Sequence, residues 1–210
     1  MSNFTLIIGN KNISSWSLRA YLALKHADVT YQEILISLRP SFDKEALLRL
    51  TPAGKVPTLI HGDHLIWDSL AICEYLNDLY PQKAYWPDDI SMRAHARCVS
   101  AELHSGFATL RTLMPMAFCN SLQMPEITED LKSDIDRIID IWTDARDKYA
   151  HIGPYLFGNY CIADMMFAPV VSRFNTYQVA LSEKLQHYCN HMMSHPHMIA
   201  WRDEADPLDL

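Results

Sequence analysis

The stretches Thr51-Pro52-Ala53-Gly54-Lys55-Val56-Pro57-Thr58-Leu59 and Asp68-Ser69-Leu70-Ala71-Ile72 decide the fold of the first part of the chain. Because proline cannot donate to a sheet ladder, Val56-Pro57 predicts a strand entry or edge whose backbone stays unpaired and could pair with an extended ligand. Asp68-Ser69 opens an apolar helical pattern, and the free amides at a helix start favour a carboxylate. Together the two stretches predict a site for a small, peptide-like anion.

Strand and helix signals alternate from the start of the chain to Pro81. They predict strands at Phe4–Ile8, Tyr31–Ile36, Thr58–Ile60 and Leu65–Trp67, and helices at Ser15–Ala27, Phe42–Leu50 and Ser69–Tyr80. Gly62-Asp63 between two apolar runs is typical of a tight hairpin. This order predicts a small mixed sheet with a parallel crossover followed by an antiparallel hairpin.

Strand signals disappear after Pro81, and only helical periodicities follow. The predicted helices are one long helix from Met92 to about Phe118, bent or interrupted around Pro115, and further helices near 127–149, 164–177, 182–191 and 196–205. The change of period predicts two domains, an α/β domain at residues 1–81 and an all-α domain at residues 88–210.

Composition excludes several classes of partner. The chain has 210 residues, a formal net charge of −7 and no basic run, which argues against nucleic acid or an anionic membrane surface. No apolar stretch approaches the length of a membrane span, and the first residues lack the features of a secretion signal. We therefore expect a cytoplasmic protein whose partners are small molecules or proteins.

Neither the cysteines nor the histidines predict a redox or metal centre. The 5 cysteines are scattered, without a Cys-x-x-Cys pair, so we expect reduced and mostly buried thiols. His187, His191 and His195 recur at helical spacing, with His197 nearby. No carboxylate or cysteine arrangement completes a recognisable ligand set, so no metal is predicted.

Four segments carry a resemblance to a known family, in the family's order and spacing: Ser14–Arg19, Gly54–Pro57, Asp68–Leu76 and Gly158–Asp164. On these segments the chain resembles the cytosolic glutathione transferases of the serine type, of a bacterial or zeta-like kind, over nearly its whole length. The resemblance implies a thioredoxin-like amino-terminal domain, an all-helical carboxy-terminal domain, glutathione as co-substrate and a homodimer.

The resemblance also implies how glutathione is held. Pro57 would be cis and would orient the Val56 backbone toward the cysteinyl group, while Lys55 would lie beside the glycyl carboxylate. Asp68 and Ser69 would hold the γ-glutamyl end. The alternative is purely structural, in which Pro57 only starts a strand and Ser69 only caps a helix.

Ser14 and then Ser15 are the candidates for activating the glutathione thiol. That thiol has a pKa of about 8.5, so it is mostly protonated at neutral pH, and only the thiolate attacks. Lowering the pKa by about two units requires roughly 2.7 kcal/mol of anion stabilisation. A hydroxyl bonded to charged sulfur supplies about 1.5–3 kcal/mol, so one serine suffices. The alternative is that these serines only cap the helix.

Five residues are candidates for the electrophile pocket in the cleft between the domains, namely Trp16, His104, Arg111, Met114 and Phe118. Arg111 favours an anionic substrate, and Trp16 could instead pack between the domains. For the others, core packing is the alternative. Zeta-class members, which include maleylacetoacetate isomerases, carry cysteine at the position of Trp16, and this difference argues against isomerase activity.

The leading functional prediction is a glutathione transferase that joins the tripeptide thiolate to a small hydrophobic electrophile, or uses it in isomerisation or peroxide reduction. The alternative is a non-catalytic glutathione-binding or regulatory protein with the same fold. The sequence does not name the physiological electrophile.

Cys161 is a departure from the family pattern. The family usually places serine or threonine where this chain has Cys161, with Asp164 completing a capping box.

Overall fold

A computed structural model describes residues 4–39 and 44–209. Its sheet has the strand order β2-β1-β3-β4, formed by β1 Phe4–Gly9, β2 Gln32–Ile36, β3 Thr58–His61 and β4 His64–Trp67. Strand β1 runs parallel to β2 and antiparallel to β3, and β3 and β4 form a hairpin. The predicted mixed sheet, with its crossover followed by a hairpin, is confirmed.

Helices make up most of the rest of the described chain. They are α1 Ser15–Ala27, α2 Lys44–Leu50, α3 Ser69–Leu79, α4 Ile90–Ser105, α5 Ala108–Leu113, α6 Glu129–Tyr149, α7 Ile162–Thr176, α8 Glu183–Met193 and α9 Pro196–Asp203. Most predicted bounds agree closely with these. Ile127 lies outside α6, which begins after the N-cap Thr128. Phe42 and Asp43, where a helix was predicted to start, lie outside the described residues.

The prediction of one long helix from Met92 to Phe118 is wrong. Helix α4 ends at Ser105 and α5 begins at Ala108, so the break lies well before Pro115. Phe107 has φ 62°, a left-handed conformation that cannot continue an α-helix. The side chain of Arg111 reaches back and donates to the carbonyl oxygens of Leu103 and Gly106, which supplies partners at the end of α4.

Helix α1 lies at the centre of the fold, between α3 and α7. Helix α7 is buried along almost its whole length. Its first turn is fixed by Asp164, whose two carboxylate oxygens accept from the N–H groups of Leu156 and Cys161 at 3.0 Å each. The predicted role of Asp164 at this helix start is confirmed. Helix α1 therefore contacts both the α/β part and the helical part of the chain.

The cysteines are free thiols. Three of them are buried, namely Cys73, Cys161 and Cys189. Cys119 is partly buried, and Cys98 is exposed. The prediction of reduced and mostly buried thiols is confirmed. No helix in the described part of the chain is both long and apolar enough to cross a membrane.

Candidate active site

A cavity of about 560 Å³ opens where the start of α1, the loop before β3 and the start of α3 meet. It is lined by Trp16, Leu38, Leu47, Gly54, Lys55, Val56, Pro57, Trp67, Asp68 and Ser69. The cavity therefore brings together all of the residues that the sequence predicts for binding glutathione, and one of those predicted for the electrophile.

The loop at one side of the cavity is fixed by its own hydrogen bonds. The Val56-Pro57 peptide is cis, as the resemblance implied. The Thr58 hydroxyl donates to the Lys55 carbonyl oxygen at 3.1 Å. Across residues 4–39 and 44–209, the N–H and C=O groups of Val56 make no backbone–backbone hydrogen bond. An unpaired backbone beside a cavity can accept an extended ligand as a short added strand.

Asp68 lies on the opposite side of the cavity, and both of its carboxylate oxygens already contact other groups of the protein. Its Oδ1 accepts from the N–H groups of Leu70 and Ala71 at 2.9 and 3.3 Å, so it caps α3. Its Oδ2 lies 3.0 Å from Nε2 of His104. This contact links α4 to the wall of the cavity, a link that the sequence did not predict.

Ser69 differs from its neighbour because its hydroxyl is buried and has no partner among the described residues. A buried polar group without a hydrogen bond is destabilising by about 1–3 kcal/mol. Since Ser69 lines the cavity, a ligand oxygen placed there would supply the missing partner.

Ser14 and Ser15 are buried, with exposed fractions of 5% and 6%. Neither is among the residues that line the cavity, where the next residue, Trp16, is found. Ser14 occupies the N-cap position of α1, but its side chain makes no capping hydrogen bond. This geometry therefore does not support the alternative in which the Ser14 hydroxyl only caps the helix.

Ser17 is a partner of Ser14 that the sequence reasoning missed. The two hydroxyl oxygens are 2.7 Å apart, and Ser17 Oγ accepts from the Gly9 N–H at 3.0 Å. The signal for this pair was the Ser-Ser-x-Ser run, since residues three apart share a helix face.

Trp16 forms the cavity wall in front of two cations. The guanidinium carbons of Arg19 and Arg111 lie 4.4 and 4.8 Å from its ring centroid. Burial lowers the pKa of Arg19 well below its ordinary value, and the charges of Arg111 and Arg173 lower it further. Both terminal nitrogens of Arg19 are buried without a partner among the described residues. The Met166 carbonyl oxygen, 3.0 Å from Nε, is thus the one hydrogen-bond partner of the Arg19 side chain among the described residues.

The other electrophile candidates do not line the cavity. His104 contacts the edge of Trp16, with ring centroids 5.2 Å apart, and reaches Asp68 instead. Met114 and Phe118 belong to the buried core. For these two residues the placement matches the core-packing alternative.

The histidine cluster has a structural arrangement. His195 is the N-cap of α9, where its Nδ1 accepts from the His197 N–H at 3.2 Å, and its ring stacks on Tyr160 with centroids 4.4 Å apart. Burial and neighbouring histidines lower the pKa of His195 to about 4. In residues 4–39 and 44–209, no group of three or more histidine, cysteine or acidic side chains is arranged to hold a metal ion.

A mixed sheet with a cis-proline loop, a helix-start site and a following helical region together define the glutathione transferase fold. Residues 13–79 match the family of the glutathione S-transferase N-terminal domain. The "Probable maleylacetoacetate isomerase" of Caenorhabditis elegans is 31% identical over 169 residues, which cover 80% of this chain and 77% of that protein. Glutathione S-transferase 1 of Dianthus caryophyllus is 30% identical over 164 residues, covering 75% and 71%. The chain belongs to the glutathione S-transferase family, with zeta-class relatives.

Solved structures agree on the fold. A glutathione transferase homolog from Burkholderia, with bound glutathione, superposes with a TM-score of 0.73 at 23% identity and covers 96% of each chain. A theta-class glutathione S-transferase from Xanthomonas axonopodis superposes with a TM-score of 0.70 at 22% identity and covers 98% of each chain.

Proposed function

We propose that this protein is a glutathione S-transferase that binds glutathione in the 560 Å³ cavity and keeps its thiol ionised through a serine hydroxyl for attack on an electrophile. Ser14 is the first choice for this hydroxyl and Ser15 the second. One observation carries the proposal: the unpaired Val56 backbone and the unpaired buried Ser69 hydroxyl border the same cavity. The glutathione bound in the Burkholderia relative supports the choice of ligand.

In the proposed complex, glutathione lies extended across the cavity. Its cysteinyl backbone pairs with Val56, its glycyl carboxylate lies beside Lys55, and its γ-glutamyl carboxylate accepts from the hydroxyl and the backbone N–H of Ser69. The γ-glutamyl ammonium approaches Asp68 Oδ2, the oxygen that His104 also contacts at 3.0 Å. His104 and the ammonium therefore share one carboxylate oxygen.

The Ser14–Ser17 pair gives the activating hydroxyl a defined orientation. In the structure the Ser14 hydroxyl donates to Ser17 Oγ, which also accepts from the Gly9 N–H. In the proposed complex both hydroxyls rotate, so that Ser17 donates to Ser14 Oγ and the Ser14 hydrogen is donated to the sulfur anion. Hydrogen bonds linked in such a chain polarise and strengthen one another. The stabilisation of the sulfur anion should therefore exceed that of a single bond to a charged group, which is about 1.5–3 kcal/mol.

The chemical step needs no further base. The thiol proton passes to solvent when glutathione binds, the thiolate attacks an electrophilic carbon, and a carbon–sulfur bond forms as the leaving group departs or the electron pair moves onto the substrate. Trp16 offers an apolar wall, and the charge of Arg111 behind it favours an electrophile that carries a carboxylate.

Glutathione-dependent isomerisation is the second candidate. The relatives named as maleylacetoacetate isomerases in Caenorhabditis elegans and Rattus norvegicus favour it, at 31% and 30% identity. Trp16, at a position where the zeta class carries cysteine, argues against it. In either case we propose a cytoplasmic homodimer, with residues 1–81 binding glutathione and residues 88–210 contributing the electrophile site.

Kinetics of Ser14→Ala, Ser15→Ala and the double variant test the proposal. We expect Ser14→Ala to lower kcat/KM for conjugation by roughly 10- to 100-fold, because about 1.5–3 kcal/mol of anion stabilisation is removed. Glutathione binding, measured by calorimetry, should change little. Conjugation at the wild-type rate in all three variants would contradict the mechanism, and a wild-type protein that binds glutathione without any turnover would favour the non-catalytic alternative.

A further inference from the structure

The turn that carries Ser14 is held by the opposite end of the chain. Residues 206–209, here called the carboxy-terminal clasp, lie against the turn that joins β1 to α1. We propose that the clasp, acting through Asp209, holds this turn in the position that the Ser14 hydroxyl needs to reach sulfur. Asp209 is then a positioning residue, and this inference rests on the proposed role of Ser14.

The first link runs through Asn10. Its side-chain N–H donates to Asp209 Oδ2 at 3.0 Å, and its side-chain oxygen accepts from the Leu38 N–H at 2.6 Å. The Asn10 carbonyl in turn accepts from the Ser14 N–H at 2.8 Å. Asp209 is thus separated from the Ser14 backbone by a single residue, although the two are far apart in sequence.

The second link runs through Asn12, which is fully buried. Its side-chain N–H donates to the Asp209 carbonyl and to the Asn120 side chain, both at 2.8 Å. The Asn120 side chain donates to the Pro207 carbonyl at 3.2 Å. The clasp therefore closes a small network with both asparagines of the turn.

Charge and burial make these links stronger than ordinary surface contacts. Asp209 is only 8% exposed and also pairs with Arg39. Between the two asparagines, the Lys11 carbonyl accepts from the Trp201 indole N–H at 2.8 Å, so α9 holds the middle of the same turn. Hydrogen bonds that involve a charged, water-excluded group are the strong ones.

This arrangement matters for catalysis because a reacting group must be placed within a narrow range. A misplacement of about 1 Å can cost about 100-fold in rate. Among the described residues the clasp makes no direct hydrogen bond or ion pair with a residue that lines the glutathione cavity, and it reaches Leu38 only through Asn10. Its loss should therefore affect thiol activation more than glutathione binding.

The test compares Asp209→Ala with a matched control, Asp203→Ala. Asp203 is exposed, lies just outside the clasp and pairs with its neighbour Arg202 at 3.1 Å, and its side chain makes no described contact with Asn10 or Asn12. For Asp209→Ala we expect kcat to fall by about 10-fold or more and the pKa of bound glutathione thiol to rise by about one unit. The KM for glutathione should stay within about twofold. Asp203→Ala should match wild type in all three.

A lower melting temperature of Asp209→Ala with unchanged kcat and thiol pKa would overturn the proposal, because it would show a merely structural role. If Asp209→Ala does not fold, Asn10→Asp removes the donor to Asp209 but keeps the acceptor for the Leu38 N–H, and we expect the same outcomes for it. Ser14→Ala in the same series separates the two proposals. If it raises the thiol pKa and the Asp209 variant does not, only the clasp fails; if Ser14→Ala has no effect, the proposed function fails.

Discussion

Replacing Ser69 with alanine should weaken glutathione binding while stabilising the ligand-free protein. The Ser69 hydroxyl is buried, lines the cavity and has no partner among the described residues. The ligand-free protein offers this hydroxyl no partner among its described residues, so its removal should raise the free energy of unfolding by up to about 1 kcal/mol. For a chain of this length, that corresponds to a melting temperature about 2–4 °C higher.

In the complex the same hydroxyl should donate to the γ-glutamyl carboxylate. A hydrogen bond to a charged group contributes about 1.5–3 kcal/mol, so the dissociation constant should rise by roughly 10- to 100-fold. At a glutathione concentration 100 times the wild-type dissociation constant, the ligand stabilises wild type by about 2.7 kcal/mol. For Ser69→Ala this falls to about 0.4–1.4 kcal/mol.

Calorimetry and thermal unfolding with and without glutathione measure both effects. Ser100→Ala is the matched control, because the Ser100 hydroxyl is also buried and unpaired in the described structure, but lies on α4 away from the cavity. The control should show the gain in stability without the loss of binding. Glutathione binding by Ser69→Ala as tight as that of wild type would refute the assignment of Ser69.

Three further predictions concern other parts of the molecule. Cys161→Ser should stabilise the protein by up to about 1 kcal/mol in chemical unfolding, because oxygen accepts better than sulfur at the N-cap of α7; a lower midpoint would contradict this. The pKa of His195 is lowered to about 4, from about 6.5 in the unfolded chain. The stability that neutral His195 contributes is therefore complete above pH 6.5 and is lost as the pH falls toward 4. His195→Asn keeps a capping acceptor without titrating, so its stability should depend less on pH over that range, and an unchanged slope would count against the assignment. Arg111→Gln should lower kcat/KM by about 10-fold for carboxylate-bearing electrophiles but not for neutral ones, whereas unchanged rates with every electrophile would remove Arg111 from the site.

Local patterns predicted the sheet and most helices because each element carries its own periodicity or turn signal. The hairpin around Gly62-Asp63 and the start of α1 at Ser15 are examples. The break between α4 and α5 was misplaced because a proline is the usual helix breaker. Here α4 ends at its C-cap Gly106 and the chain turns at Phe107. Gly106 was a local signal for this break, since glycine commonly ends helices, but Pro115 was given more weight.

The candidate site was predictable where it lies in continuous segments, such as Lys55–Pro57 and Asp68-Ser69. Contacts between elements that are distant in sequence were not predictable. The approach of His104 to Asp68, and of Arg111 to Trp16, depends on how the helices pack, and a single sequence does not encode that in any local spacing. The carboxy-terminal clasp was invisible for the same reason, since Asp209 and Asn10 lie at opposite ends of the chain.

Ultraviolet titration of the thiolate of bound glutathione tests the central proposal most directly, because it reports the ionisation of sulfur itself. For wild type we predict an apparent pKa near neutrality, about two units below that of the free thiol. Ser14→Ala should return it toward about 8.5, with Ser15→Ala as the comparison that decides between the two hydroxyls. A wild-type titration at the value of free glutathione, or one unchanged in both serine variants, would contradict activation by a serine.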